Sequence, residues 1–215
     1  MKDIRNKVKN LRRDFNFDTL SEDKAPENPL DLLHQWLNDA IENGLKDPNA
    51  FVLATVKNGQ PDSRVVLLRD ASEEGLQFFT NYSSKKGEDL VRNNRISANF
   101  FWVELDRQIR IHAKVSKLSP DQSDEYFASR PRGSQIGAWA SSQSHSLKSR
   151  KTLEKRIKEL ESRFEGQDVP RPEFWGGYLL EPHYYEFWQG RESRLHDRIC
   201  YEQEADKWSI QRLFP

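Results

Sequence analysis

The stretch FVLATVKNGQPDSRVVLLR, residues 51–69, decides the fold class. Phe51–Val56 is a short apolar run rich in β-branched residues, which reads as a strand. Asn58-Gly59 follows, and both residues accept the positive φ of a two-residue hairpin turn. Ser63–Leu68 then returns as a partner strand. Working outward, Leu76–Thr80 is a further strand after the turn around Glu74-Gly75. Ile96–Trp102 and Gln108–Leu118 are two more, the second alternating over Ile109, Ile111, Ala113 and Val115. Ser83 or Ser84 caps a short helix over Lys86–Arg92. Upstream, Asn28-Pro29 opens a helix over Leu30–Asn43, with Leu32, Leu33, Trp36, Leu37 and Ala40 as its stripe and Gly44 as its stop.

Downstream the period turns helical. Ser119-Pro120 starts a helix to about Ser129, and Pro131 ends it. A short helix spans Ser134–Ala140, and a longer one Leu147–Phe164, with Leu153, Ile157, Leu160 and Phe164 on one face. The chain closes on strand patterns over Trp175–Leu180, Tyr184–Trp188, Arg194–Gln203 and Lys207–Leu213. Seven or eight strands joined by hairpin turns and interrupted by helices imply an antiparallel barrel with attached helices. Regular βαβ alternation is absent, as are GxGxxG and GxxxxGK[ST] loops, which argues against a dinucleotide or triphosphate fold.

The chain has 215 residues, 32% charged and 35% apolar, with a formal net charge of zero. That balance disfavours a protein built for nonspecific nucleic-acid binding. Cys200 is the single cysteine, so an intrachain disulfide and a thiolate metal cage within one chain are excluded, which fits a reducing compartment. Cys200 itself reads as a small buried strand residue. The histidines show no HExxH spacing, and no metal site is expected. No secretory apolar run and no bilayer-length apolar span is present, so a soluble cytoplasmic protein is expected. Residues 1–28 read as a basic arm and linker. Lys2, Arg5, Lys7, Lys9, Arg12 and Arg13 accompany Ile4, Val8 and Leu11 at helical spacing, and Ser21–Asn28 is polar. Residues 29–215 read as the remaining domain.

Four groups of residues carry candidate chemistry. In WQGRESRLHDR, residues 188–198, Arg194, His196 and Arg198 alternate, so a strand places them on one face. Clustered cations repel, and an anion offsets the repulsion; the competing reading is a solvated face balanced by Glu192 and Asp197. Arg64 and Arg69 flank the apolar VVLL and face opposite sides of a regular strand, serving two anions or lying at strand ends in water. Ser83-Ser84-Lys85-Lys86-Gly87 has the parts of a phosphate cradle, or is an ordinary exposed Ser-Lys run. Tyr126 and Arg130 share a helix face, and Ser134 caps the next helix; together they suit a phosphate, or form an ordinary helix end.

Taken together these segments resemble pyridoxamine 5′-phosphate oxidase. The resemblance rests on RVVLLR (64–69), FFTNYSSKKG (78–87), RQIRIHAKV (107–115), YFASRPRGSQIGAWAS (126–141), SSQS (141–144), FWGGY (174–178) and EFWQGRESRLHDR (186–198). It runs from about Leu11 to the C-terminus. It implies an FMN-binding split β-barrel, a homodimer with FMN at the subunit interface, and a C-terminal region serving dimerisation and substrate. It also implies oxidation of pyridoxamine or pyridoxine 5′-phosphate to pyridoxal 5′-phosphate, with O2 reduced to hydrogen peroxide. By position, the implied flavin contacts are Arg64, Val65, Val66, Leu67, Leu68, Arg69, Phe79, Thr80, Lys85, Lys86, Gln108, Gln143, Ser144, Trp188 and Arg198. The implied substrate contacts are Arg12, Arg13, Asp14, Phe15, Arg69, Tyr126, Arg130, Ser134, Arg194 and His196, with Arg194 and His196 as the catalytic pair. Three residues depart from the family pattern: Arg69 stands where Lys is frequent, Lys85 replaces a common Arg, and Phe15 lacks the hydroxyl of a Tyr found in some members. A related flavoenzyme with another substrate, a non-catalytic FMN or pyridoxal phosphate carrier, and a nucleic-acid-binding module are the competing functions.

Overall fold

The computed structural model describes residues 2–215. The hairpin forms where the sequence places it. Strand β1 (Ala50–Lys57) pairs antiparallel with β2 (Gln60–Leu67), and Lys57 faces Gln60 across the turn. Asn58 and Gly59 both take positive φ there, at 53° and 78°. The remaining strands are β3 (Asp70–Ser72), β4 (Gly75–Asn81), β5 (Arg95–Trp102), β6 (Arg107–Lys117), β7 (Trp175–Gln189), β8 (Asp197–Glu204) and β9 (Lys207–Arg212). They pair in the order β2-β1-β5-β6-β7-β4-β3, with β8 on β7 and β9 on β8. The helices are α1 (Lys2–Asn10), α2 (Pro29–Glu42), α3 (Lys85–Arg92), α4 (Pro120–Ser129), α5 (Arg132–Ala140) and α6 (Arg150–Arg163). The architecture is therefore mainly antiparallel β with attached helices, as expected.

Several boundaries move for identifiable reasons. The two strands expected over 175–180 and 184–188 are one 15-residue strand, β7. Its first part pairs with β4 up to Leu180 and its last part with β8 from Tyr184, so Pro182 falls between those two ladders and breaks neither. Helix α6 starts at Arg150 rather than at Leu147, because Ser149 accepts from the Thr152 N–H and sets the cap. Arg130 lies beyond α4 in extended geometry, φ −75° and ψ 147°, since a residue before proline avoids helical angles. Tyr126 and Arg130 thus do not share a helix face. Ser134 is inside α5 rather than its cap, which falls at Pro131. The strand expected over 194–203 begins only at Asp197.

Contacts divide the chain into two compact units. Unit 1 holds the chain up to Pro48, Phe100–Arg110 and Tyr184–Pro215; unit 2 holds Asn49–Asn99 and Ile111–His183. Unit 1 is centred on Leu33, Trp36, Phe187, Ile199 and Tyr201, all buried, with Trp36 meeting Phe187 edge-on at 5.3 Å. Unit 2 buries Phe51, Leu53, Phe78, Ile111 and Leu180. A second cluster in it gathers Phe127, Ile136, Phe164, Val169 and Trp175. Cys200 is buried, as its strand position implied. No helix among the described residues is long and apolar enough to cross a membrane.

In unit 2 the start of α3 is seated by a close approach. A Cβ added at Gly87 meets the Tyr82 carbonyl oxygen at 2.1 Å, whereas one added at Gly133 in α5 meets nothing within 4 Å. Gly87→Ala is therefore expected to lower the urea midpoint, while Gly133→Ala, relieved of glycine's helix penalty of about 1 kcal/mol, holds or raises it. Equal midpoints for the two variants overturn the packing argument.

Candidate functional site

In unit 2, the α3 N-terminus and β4 converge on one ammonium. Ser84 caps α3 by accepting from the Gly87 N–H. The Lys86 side chain is buried, and Nζ donates to Thr80 Oγ1 at 3.1 Å, Gln143 Oε1 at 2.8 Å and Ser84 Oγ at 3.4 Å. All of these partners are neutral oxygens. Burial, and then the charge of Arg64, pull the Lys86 ammonium down to about 8. Arg64 is anchored from below: Nη1 donates to Thr55 Oγ1 at 2.8 Å and to the Leu53 carbonyl at 3.2 Å. Its Nη2 reaches Asp62 at 3.0 Å, and Lys85 meets the same carboxylate at 2.8 Å. Thr55 in turn donates to the buried Asp89. Arg64, Thr80, Lys85, Lys86 and Gln143 thus come together from four segments. Along β2 the intervening side chains vary: Val65 is exposed, Val66 and Leu67 are half-buried, and Leu68, just past the strand, is buried. Ser144 is exposed and takes a positive φ of 70°.

A second group in unit 2 is aromatic and cationic. Phe79 stacks on Tyr126 at 3.8 Å, and Tyr126 lies parallel to Trp175 at 6.2 Å. Arg69, past the end of β2, stands over the Tyr126 ring at 5.9 Å. Arg130 lies over Trp175 at 4.4 Å, and its Nη1 is buried without a hydrogen-bond partner. Burial lowers its guanidinium pKa, with Arg69 acting in the same sense. Ser134 is exposed one turn away. A cavity of about 790 Å³ opens beside Gln143, lined among others by Asn81, Trp139, Arg156 and Phe174.

Unit 1 carries the remaining candidates. Between β7 and β8 the chain reverses through a 3₁₀ turn at Glu192–Arg194, where Ser193 and Arg194 both take positive φ, 55° and 64°. The expected single strand face bearing Arg194, His196 and Arg198 does not form, because Arg194 and His196 belong to the reversal and only Arg198 lies in β8, opposite Trp188. His196 is instead placed by rings: Trp188 at 4.5 Å and Phe15 edge-on at 5.3 Å. Its Nδ1 accepts from the Arg191 N–H at 3.0 Å. Burial, and then Arg194, lower its pKa against the opposing pull of Asp197. A neutral ring with Nδ1 already accepting carries its proton on Nε2. Arg194 stands over the Phe15 ring at 5.1 Å, and Arg13 over it at 4.3 Å. Arg13 is tied to the buried Asp106, which also accepts from the Asn16 N–H. Arg12 and Asp14 are exposed, and Gln108 is half-buried on β6.

Arg198 is clamped by Glu186, a buried carboxylate absent from the sequence-derived set. Asp106, Arg107, Thr55 and Asp89 also escaped that reading. For Arg107 a signal existed: it opens the strongly alternating, apolar strand β6, where a charge is costly without dedicated partners. Among the described residues no group of three or more His, Cys, Asp or Glu side chains is arranged to hold a metal ion.

Comparison with known proteins gives these clusters a family. Residues 37–164 match the family profile described as pyridoxamine 5′-phosphate oxidase, and residues 175–215 match the pyridoxine 5′-phosphate oxidase C-terminal dimerisation region. A pyridoxine/pyridoxamine 5′-phosphate oxidase of Rubrobacter xylanophilus is 48% identical, covering 95% of this chain and 95% of its own. One from Cupriavidus taiwanensis is 49% identical over 95% of this chain and 97% of its own. The crystal structure of PhzG from Burkholderia lata, in complex with tetrahydrophenazine-1-carboxylic acid, has a TM-score of 0.86 at 33% identity, covering 92% of this chain and 98% of that one. A pyridoxamine 5′-phosphate oxidase-related, FMN-binding protein of Nostoc punctiforme shares the fold, with a TM-score of 0.71 at 15% identity and coverage of 89% and 100%. With both parts of the family matched in order, and relatives nearly half identical along almost the whole chain, this protein belongs to the pyridoxamine 5′-phosphate oxidase family.

Proposed function

We propose that this protein is an FMN-dependent oxidase that converts pyridoxamine 5′-phosphate and pyridoxine 5′-phosphate to pyridoxal 5′-phosphate, with O2 reduced to hydrogen peroxide. The observation that carries this reading is a pair of cations in unit 2 lacking carboxylate partners. Lys86 is buried among neutral oxygens, and Arg130 has a buried Nη1 with no partner. Burying an uncompensated cation is costly, and a phosphate dianion offsets that cost. The relatives near 48% identity bear names specifying the same pair of substrates.

The donor set fits FMN. Arg64, Lys85 and Lys86 suit its phosphate. The Val65–Leu68 backbone, with Arg69, Phe79, Thr80, Gln108, Gln143, Ser144, Trp188 and Arg198, supplies the remaining flavin contacts. FMN, when bound, supplies the ring that accepts a hydride from substrate carbon C4′ and passes electrons to O2. This chain's residues then bind, orient and shield. Tyr126, Arg130 and Ser134 hold the substrate phosphate, and Arg69 adds charge beside them. Arg194 and His196 orient the substrate ring and its amine or alcohol. With Nδ1 accepting, His196 offers an Nε2–H donor and is not the proton-abstracting base. Arg12, Arg13, Asp14 and Phe15 belong to an arm, residues 1–28, that covers substrate bound to the split-barrel domain, residues 29–215. The enzyme works as a homodimer with FMN at the subunit interface, a reading supported by the match of residues 175–215 to a dimerisation region. A cytoplasmic location accords with the lone buried cysteine. A related flavoenzyme with another substrate is the second reading, favoured by the likeness to PhzG.

The purified protein is expected to be yellow, to bleach on anaerobic addition of pyridoxamine 5′-phosphate, and to release hydrogen peroxide when air is admitted. A yellow protein that neither bleaches nor forms peroxide with either B6 ester refutes the substrate assignment. Arg194→Ala is expected to cut turnover on the order of a hundredfold while flavin content stays near that of the parent; parallel loss of both overturns the division of labour.

Lys86 gives opposite pH trends for stability and for anion binding. Its folded value of about 8 lies below the usual 10.5. Its charged form therefore destabilises the free protein fully below pH 8, and the penalty fades as pH rises towards 10.5. A bound phosphate needs that same charge. FMN affinity is expected to fall between pH 7 and 9.5, and the stability of the FMN-free protein relative to Lys86→Met is expected to rise. Fluorescence titration and urea denaturation at each pH check both signs. A fall in affinity that persists in Lys86→Met removes Lys86 from the phosphate site.

A further inference from the structure

Glu186 lies on β7, 2% exposed, and receives hydrogen bonds on both oxygens. Oε1 accepts from Arg198 Nε at 3.1 Å and lies 3.0 Å from Arg198 Nη2. Oε2 accepts from Arg110 Nη1 at 2.8 Å and from the Tyr184 hydroxyl at 3.1 Å. The two arginines and the carboxylate leave one net positive charge. Arg198 Nη1 is also engaged, donating to the Phe214 carbonyl at 2.8 Å. A guanidinium carries five N–H groups. Glu186 takes the Nε–H and the Phe214 carbonyl takes one Nη1–H, while Nη2 is in ion-pair contact with Glu186, so N–H groups on both terminal nitrogens remain.

Such a fully paired buried carboxylate is weak evidence for stability, because desolvation consumes much of the Coulombic gain. Its geometric effect is stronger. The Arg198 side chain is a long, rotamer-rich chain next to a turn with two positive-φ residues, and a free guanidinium there samples many directions. Contacts at Nε and Nη2 fix the plane of the guanidinium as well as its position. The across-strand register supports this: Glu186 pairs with Cys200 and Trp188 with Arg198, so carboxylate and guanidinium are diagonal neighbours on adjacent strands.

We propose that Glu186 is a positioning residue for the flavin: it locks the Arg198 guanidinium so that its remaining terminal N–H groups are presented to FMN, and it holds Arg110 beside it without uncompensated repulsion. This rests on the FMN reading of Arg198 given above. Glu186 touches neither coenzyme nor substrate in this scheme and acts wholly through Arg198.

That last condition makes the proposal testable by a double-mutant cycle on the full-length holoenzyme. FMN dissociation constants are measured for the parent, Glu186→Gln, Arg198→Ala and the double variant, together with the visible circular dichroism of the bound flavin. Glu186→Gln is expected to weaken FMN by about fivefold or more and to alter the dichroism, and to do neither in the Arg198→Ala background. Equal weakening in both backgrounds, or none in the parent background, overturns the positioning role. The FMN reading survives either result so long as Arg198→Ala itself weakens FMN. If Arg198→Ala leaves FMN binding unchanged, the assignment of Arg198 and the inference fall together. Should Glu186→Gln not fold, Glu186→Asp, which keeps the charge but shortens the reach, goes through the same cycle with the same criteria.

Discussion

Unit 1 depends on burying one guanidinium. Arg107, at the start of β6, is 4% exposed, and a charge so placed demands dedicated partners. Its Nε donates to Gln189 Oε1 at 2.9 Å, Nη1 to Asp39 on α2, and Nη2 to Asp18 at 3.0 Å. Trp36 lies under it at 4.5 Å and Phe17 at 5.5 Å. One side chain therefore ties the segment after α1, the helix α2 and the end of β7 to the same point. Removing it leaves carboxylates and an amide without their donor, so the loss exceeds that of a single bond.

The consequence reaches the candidate catalytic pair through Gln189. Its Nε2 donates to the carbonyls of Leu105 and Asp106, and the next residue, Gly190, donates its N–H to Asp106 at 2.7 Å. A Cβ at Gly190 meets Phe15 at 2.8 Å and Asp106 at 2.9 Å, so only glycine lets Phe15 lie this close. Phe15 then packs edge-on against Trp188 and His196. The site end of unit 1 is thus set by hydrogen bonds, with its aromatic side chains packed upon them. The departure from Tyr to Phe at position 15 removes a hydroxyl but keeps the ring that this packing needs.

The hairpin and the caps at Asn28, Ser84 and Ser119 were legible in the sequence because they depend on neighbours along the chain, whereas nine strands form among the described residues in place of the seven or eight expected, the short β3 among them unforeseen. The cationic groups proposed for the site were picked out in the same way, since each sits in a compact motif. What sequence did not reveal was relation across distance. Glu186 and Arg198 are twelve residues apart, and Arg107 and Asp18 are 89 apart; no periodicity encodes either pair. The alternation of Arg194, His196 and Arg198 mimicked a strand, but a chain that must reverse between β7 and β8 spends Arg194 and His196 on the turn and leaves only Arg198 in β8. The break expected between Leu180 and Tyr184 erred in the opposite direction: the strand runs on through Pro182, and only its ladder partners change.

The arginines and lysines sort by the company they keep, and the sorting separates scaffold from site. Arg107 is matched by two carboxylates, so its charge is largely committed to holding the fold, whereas Arg198 is matched by Glu186 alone, with Arg110 sharing that carboxylate. Lys86 has only neutral oxygens, and Arg130 has aromatic faces and an unpartnered nitrogen. In the proposed function these two keep their charge for a ligand, at a cost to the free protein that the lowered Lys86 pKa registers. Lys85 fits the same logic from the exposed side. Its pairing with Asp62 raises its pKa and keeps it charged, so replacing a forked Arg by Lys at this position loses geometry rather than charge. Arg64, anchored by Thr55 and the Leu53 carbonyl, holds a fixed fork beside it.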